Sequence, residues 1–299
     1  MSSLIKVDNL NKSFGSKQVL KDINFEVVKG EPVALVGPNG AGKTTLFSIL
    51  CGYIPYNSGS VSILGENPST AAVKNHFSAL PQDAQLDPKY SIEKQLQFYA
   101  QLQGFTSKQS IIEAHRVLSL VGLADSYKVK PLELSHGMRK RASIAQSLMG
   151  SPQLIILDEA TAGLDPKHAK DIREIISNLS GDITFVLSSH DLSELERLCD
   201  QVLYLENGKL QNHQVQTSDD DLQYLTLRMK QHSDNFVQEI SNIPGVQNVS
   251  LLQGKEYLIS YKVIENSAPL DITFLTLCYK NNWTYSQLVK GKTLENQLF

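Results

Sequence analysis

The residues Gly37-Pro38-Asn39-Gly40-Ala41-Gly42-Lys43-Thr44-Thr45 hold the densest chemistry in the chain. They fit the spacing Gly, four residues, Gly-Lys-Ser/Thr, whose residue types suit a nucleotide polyphosphate. Glycines at 37, 40 and 42 let the backbone turn tightly and approach an anion with no Cβ in the way. Successive N–H groups then face inward as an anion nest. A helix starting near Gly42 points its positive end at the same spot. Lys43 adds a mobile charge for the β- and γ-phosphates, and Thr44 a hydroxyl for Mg²⁺. The flanks agree with this use. Pro32-Val33-Ala34-Leu35-Val36 is an apolar run of buried-strand length, and Leu46, Ile49 and Leu50 follow at helical spacing.

A second element is Leu154-Ile155-Ile156-Leu157-Asp158-Glu159, an apolar strand ending in two carboxylates. Acids at the C-terminal end of a parallel strand stand at the mouth of a nucleotide site. Asp158 can reach Mg²⁺ through its water shell. Glu159 can take the proton of an attacking water, a role worth about 10²- to 10⁴-fold in rate. Alone, this run also reads as a strand ending in a polar turn; beside the glycine loop it gains its meaning.

On these motifs the chain resembles the ATP-binding subunit of an ABC transporter, over about residues 4 to 213. Leu134-Ser135-His136-Gly137-Met138 is similar to the family's LSGGQ segment. The resemblance implies that Ser135 and Gly137, at a helix start, address the γ-phosphate of an ATP held by an opposite subunit. His136 stands where the family usually has Gly, Met138 where it often has Gln, and Ala160 where Pro is more common. Gln82 resembles the Gln-loop residue that touches the metal and senses the transmembrane partner. Ala162-Gly163-Leu164-Asp165 resembles the D-loop, which communicates across the dimer. His190, in Leu187-Ser188-Ser189-His190-Asp191, stands as the switch histidine, and Phe14 as the aromatic that stacks on adenine.

The function implied is ATP hydrolysis with Mg²⁺ by a head-to-tail dimer of two copies. Each site would use Lys43, Thr44, Gln82, Asp158, Glu159 and His190 of one subunit and Ser135 and Gly137 of the other. Separate permease subunits would hold the dimer on the cytoplasmic face of the membrane. Phe98 to Gly104, following Leu86-Asp87-Pro88, resembles the ABC-2 export subfamily. The rivals are ABC ATPases of translation or DNA repair, and a nucleotide sensor without turnover. Translation factors of this type resemble two such domains in one chain. Repair ATPases carry long coiled coils, and no sustained heptads separate Lys43 from Ser135. Glu159 argues against the sensor.

At 299 residues the chain has room for about two domains. Strand-like and helix-like segments alternate through the first two thirds, which predicts an α/β domain with a parallel core sheet. Leu4–Val7 and Val19–Val28 read as edge strands; Leu154–Leu157 and Ile183–Leu187 as buried ones. Ile172, Ile175, Ile176 and Leu179 mark an amphipathic helix, and Asp191 with Glu194 a capping box. Asn207-Gly208 reads as a type I′ hairpin. The resemblance adds an antiparallel β subdomain and a helical subdomain. The predicted division is a nucleotide-binding domain at 1–213, a polar linker at 214–221, and a small α+β domain at 222–299. The last has the order β-α-β-β-α-β of the ferredoxin-like arrangement, with a hairpin turn near Gln253-Gly254. It reads either as a stabilising appendage or as a dimer contact or regulatory module.

Net charge is −3, which gives no electrostatic case for nucleic acid. Arg139-Lys140-Arg141 reads as a solvated helix face. Cys51, Cys199 and Cys278 lack metal spacing and read as buried free thiols in a reducing compartment. The beginning of the chain lacks the apolar core of a signal peptide, and no apolar run reaches 18 residues. A cytoplasmic protein is expected. His76, His115, His168, His213 and His232 read as surface residues.

Overall fold

The computed structural model describes residues 3–30, 32–189, 195, 198–199, 201–214, 222–231, 235–252, 255–264 and 269–291, with only the backbone at 212–214 and 222. The chain divides into two compact units, 1–214 and 215–299. In chain order the first runs β1 (Ser3–Phe14), β2 (Lys17–Val28), β3 (Val33–Val36), α1 (Lys43–Leu50), β4 (Ser58–Ile63) and β5 (Phe77–Leu80). It continues with α2 (Ile92–Leu102), α3 (Ser107–Leu120), α4 (His136–Ser147), β6 (Leu154–Asp158), α5 (Pro166–Leu179), β7 (Thr184–Ser188), β8 (Gln201–Glu206) and β9 (Lys209–Gln214).

The six-stranded sheet has the order β5-β6-β7-β3-β8-β9. All neighbours are parallel except β8 and β9. β3 and β7 are buried along their whole length, which requires the near-continuous apolar runs seen in the sequence. The β8–β9 turn takes positive φ at both Asn207 (50°) and Gly208 (77°), as a type I′ hairpin needs.

The second sheet is antiparallel with the order β2-β1-β4. Leu4–Val7 therefore lies in a central strand and not at an edge, because β4 pairs on its far side with Ile5 opposite Ile63. β2 is an edge strand as expected. One core joins Ile5, Leu10 and Leu20 of this sheet to Leu46, Ile49 and Leu50 of α1 and to Leu35, Ile156 and Leu203 of the larger sheet. Burial of each such side chain stabilises by about 1.5–3 kcal/mol, so α1 is fixed from both sides.

Short polar signals set the helix ends. Ser91 caps α2, and Thr106 with Gln109 forms a capping box on α3. Asp165 caps α5, with Pro166 at its first position. Ile172 and Ile176 of α5 are buried as their spacing predicts. The capping box at Asp191 and Glu194 lies outside the described residues.

The second unit runs β10 (Leu222–Met229), α6 (Phe236–Ser241), β11 (Val246–Leu251), β12 (Glu256–Lys262), α7 (Leu270–Lys280) and β13 (Tyr285–Lys290). Its sheet is antiparallel with the order β11-β12-β10-β13, the ferredoxin-like order. The turn near Gln253-Gly254 lies outside the described residues. Leu225 and Leu227 of β10 and Tyr257 and Ile259 of β12 meet Phe236, Ile240 and Phe274 of the helices in a separate core. The Phe236 ring is 4.4 Å from Tyr257 and 5.1 Å from Trp283.

Trp283 is the single tryptophan of the chain, so its fluorescence reports on this unit alone. Phe236→Ala should cost the unit about 3–5 kcal/mol and lower the denaturant midpoint followed at Trp283. An unchanged midpoint would contradict the central place of Phe236 in that core.

Candidate nucleotide site

The carboxyl ends of β3, β6 and β7 lie along one edge. β3 and β6 both pair with β7, and in these registers Leu35 and Asp158 each stand opposite Ser188. The loop after β3 returns into α1, whose N-cap is Gly42 at φ 113° with no side-chain cap. Gly37 is required by close approach as well as by conformation. A Cβ there would stand 2.0 Å from the Leu205 carbonyl oxygen, and φ is 153°. At Gly42 a Cβ would meet Leu20 at 3.0 Å.

Lys43 is buried, and its Nζ donates to the carbonyls of Gly37 at 2.6 Å and Pro38 at 3.2 Å. Burial pushes the ammonium pKa below its ordinary value, while Glu159 and Asp158 oppose that shift. Both carboxylates thus bear on Lys43, as the sequence pattern predicts. Lys140 of α4 is lowered by the same cause and opposed by the same two acids. Lys140 is half-buried, where the run predicted a solvated face. Arg141 also turns inward, donating from Nη1 to the Val121 carbonyl at 3.1 Å. Of the three basic residues only Arg139 keeps the exposed place expected of the run. The Cys51 thiol, at the end of α1, is pushed up to about 12 by burial and then by Asp158.

Ser188 is a residue of this site that sequence reasoning did not single out. Its hydroxyl donates a short hydrogen bond to the Asp158 carboxylate and accepts the Glu159 N–H at 2.9 Å. The Glu159 N–H also reaches the Ser188 carbonyl at 3.2 Å. Glu159 is buried and holds φ at 50°, a left-handed conformation that costs a side-chain-bearing residue about 1–3 kcal/mol. Strain of this kind clusters where a side chain must be aimed. The signal for Ser188 was its register opposite Asp158, which strand pairing alone reveals.

The other predicted residues fall as follows. Thr44 is exposed at the start of α1, and Gln82 is exposed on the loop after β5. Phe14 ends β1 with its ring 52% exposed, so it is no core residue, and Lys12 Nζ stands 4.7 Å above it. Ser135 caps α4, accepting the Met138 N–H at 3.2 Å. His136 follows at the first helical position with negative φ, so the family's glycine is not needed there for conformation. Gly137 is buried. Asp165 is exposed but bonded to His168 at 2.6 Å. His168 is therefore not the free surface residue expected, because it packs between α4 and Asp165. His115 stays exposed but bonds Glu93 at 2.6 Å. His76 is exposed, while the side chains of His213 and His232 lie outside the described residues, as does His190. The described cysteines are free thiols: Cys199 and Cys278 are buried and Cys51 partly so. Among the described residues no group of three His, Cys, Asp or Glu could hold a metal, and no helix is long and apolar enough to cross a membrane.

A glycine loop, a strand-end acid pair and a buried lysine at the edge of a parallel sheet define a nucleotide-binding ATPase domain. Residues 20–162 match the family described as ABC transporter. The chain is 34% identical over 210 residues to the linearmycin resistance ATP-binding protein LnrL of Bacillus subtilis, covering 69% of this chain and 68% of that one. It is 34% identical over 208 residues to the Nod factor export ATP-binding protein I of Bradyrhizobium diazoefficiens, covering 68% of each. The solved structure of cbiO1 from Clostridium perfringens, part of the ABC transporter complex cbiONQ, superposes with a TM-score of 0.66. It is 27% identical, covering 72% of this chain and 89% of that one. The chain belongs to the ATP-binding subunits of ABC transporters. It is an ATPase that works with membrane permease subunits, and the translation, repair and sensor readings give way to this one.

Ser188→Ala removes the hydroxyl that donates to Asp158 and leaves the Glu159 N–H only its longer bond to the main-chain carbonyl at 188. It should cost about 1–3 kcal/mol of stability and slow phosphate release. Full turnover in that variant would mean that the hydroxyl does not hold the acid pair.

Proposed function

We propose that two copies of this chain close head to tail around two ATP molecules on the cytoplasmic face of a membrane and power export through separate permease subunits. The observation that carries this reading is the convergence of Lys43, Asp158 and Glu159 at one sheet edge. In each site the loop at 37–45 wraps the phosphates with its N–H groups. Lys43 exchanges the neutral carbonyls of Gly37 and Pro38 for charged phosphate oxygens, which are stronger acceptors. Phe14, exposed and flat, stacks on adenine. Glu159 accepts the proton of the attacking water, and His190 bonds the γ-phosphate. The facing copy supplies Ser135 and Gly137, with Asp165 communicating across the interface. ATP then favours closure because it touches both halves, so its affinity differs between open and closed states.

The donors present suit Mg²⁺: the Thr44 hydroxyl, the Asp158 carboxylate and the Gln82 amide are hard oxygen ligands, and this ion needs few protein carboxylates. Bound there, Mg²⁺ would supply positive charge against the negative charge that develops on the phosphates. Export is the direction supported by the segment Phe98 to Gly104 and by the export and resistance relatives. The unit at 222–299 is proposed as a domain of its own, joined through a linker at 214–221.

Glu159→Gln should keep ATP affinity, lose about 100-fold or more in turnover and give a stable ATP-bound dimer on gel filtration. Undiminished hydrolysis would remove Glu159 as the base. Lys43→Ala should lose ATP affinity in a titration with a fluorescent nucleotide, and retained affinity would contradict the phosphate loop.

A further inference from the structure

Two histidines stand where the start of α4 meets the D-loop and the start of α5. An ideal Cβ on Gly137 would lie 2.3 Å from Cδ2 and 2.6 Å from Cγ of His168. The imidazole thus fills the volume that any side chain at 137 would need. Gly137 has no positive φ, so at this position glycine is required by room and not by backbone conformation. The other side of the ring is anchored. His168 Nδ1 lies 2.6 Å from Asp165 Oδ2, which fixes Nδ1 as the donor to that carboxylate. Asp165 Oδ1 accepts the N–H groups of Lys167 and His168, both at 3.1 Å. The bond from His168 leads the causes that hold the Asp165 carboxyl below its ordinary pKa. From the opposite direction, His136 Nε2 stands 3.8 Å from the Cβ position of Gly163. Each segment therefore carries a histidine that reaches the other's glycine.

We propose that His168 is a positioning residue: held by Asp165, its ring fixes the start of α4 against the D-loop, so that Ser135, Gly137 and Asp165 present to the facing subunit as one rigid unit. The inference rests on the two-copy reading above. Its logic is steric and directional. The ring meets Gly137 at van der Waals range, and the bond to Asp165 sets the ring's angle. Loosening either lets the helix start shift, and a displacement of about 1 Å at a reacting centre costs up to about 100-fold in rate. Because the signature segment acts on the partner's ATP, the subunit's own grip on nucleotide should be untouched. A merely structural residue would impair both together.

The test uses the full chain carrying Glu159→Gln, with ATP and Mg²⁺, and measures dimer dissociation by sedimentation and monomer affinity with a fluorescent ATP analogue. Adding His168→Ala should weaken the dimer about ten- to a hundredfold and change nucleotide affinity less than about twofold. In the otherwise unaltered chain, kcat should fall by a similar factor with little change in KM. His168→Asn, whose amide can still donate to Asp165, should recover most of the dimer. His168→Phe, which fills the space without donating, should not. These two variants keep the question open to measurement if the alanine variant folds poorly. A His168→Ala dimer as tight as its parent would overturn the inference, as would equal losses in dimerisation and nucleotide affinity. If the Glu159→Gln parent itself stays monomeric with ATP, the two-copy reading falls first and the inference with it.

Discussion

The parallel register that sets Asp158 of β6 opposite Ser188 of β7 is the contact on which the acid-bearing sheet edge depends. It gives one hydroxyl two tasks: a donor to the Asp158 carboxylate and an acceptor for the Glu159 N–H. A left-handed Glu159 persists because this neighbouring strand holds its N–H. One residue's slip in that pairing would turn Asp158 to the other face of the sheet. The apolar runs of β6 and β7, buried almost throughout, resist such a slip.

Charge at this edge is balanced under low exposure. Lys43 and Lys140 both lose water, and both are opposed in that loss by Asp158 and Glu159. A buried charge without a partner is costly, and the two acids offset part of that cost for both lysines. Lys140 ties α4 into this balance. The same helix begins with Ser135, whose hydroxyl caps it.

The glycine loop was legible because its chemistry is local: residue types at fixed spacing, with the φ values that only glycine takes easily. The buried strands and the amphipathic face of α5 were legible for the same reason, as continuous apolar runs and a period of 3.6. Misreadings came where partners lie far away in the chain. Leu4–Val7 became a central strand because Ser58–Ile63 pairs on its far side. His168 acquired Asp165 and Gly137 as neighbours through the meeting of two helix starts. Lys140 is half-buried and Arg141 turns inward to the Val121 carbonyl, although their run of charge suggested a wet face.

By itself the sequence determined the phosphate loop, the acid pair, the order of the family's segments and the boundary where composition changes near residue 214. Each of these is written in neighbouring residues, whose types fix backbone conformation and reach within a few positions. Tertiary structure decided which strand lies in the middle, that Ser188 serves Asp158 and Glu159, and that His168 occupies the space beside Gly137. Those facts come from pairing register and helix crossing, which bring together positions tens of residues apart, and no local pattern encodes the distance between them.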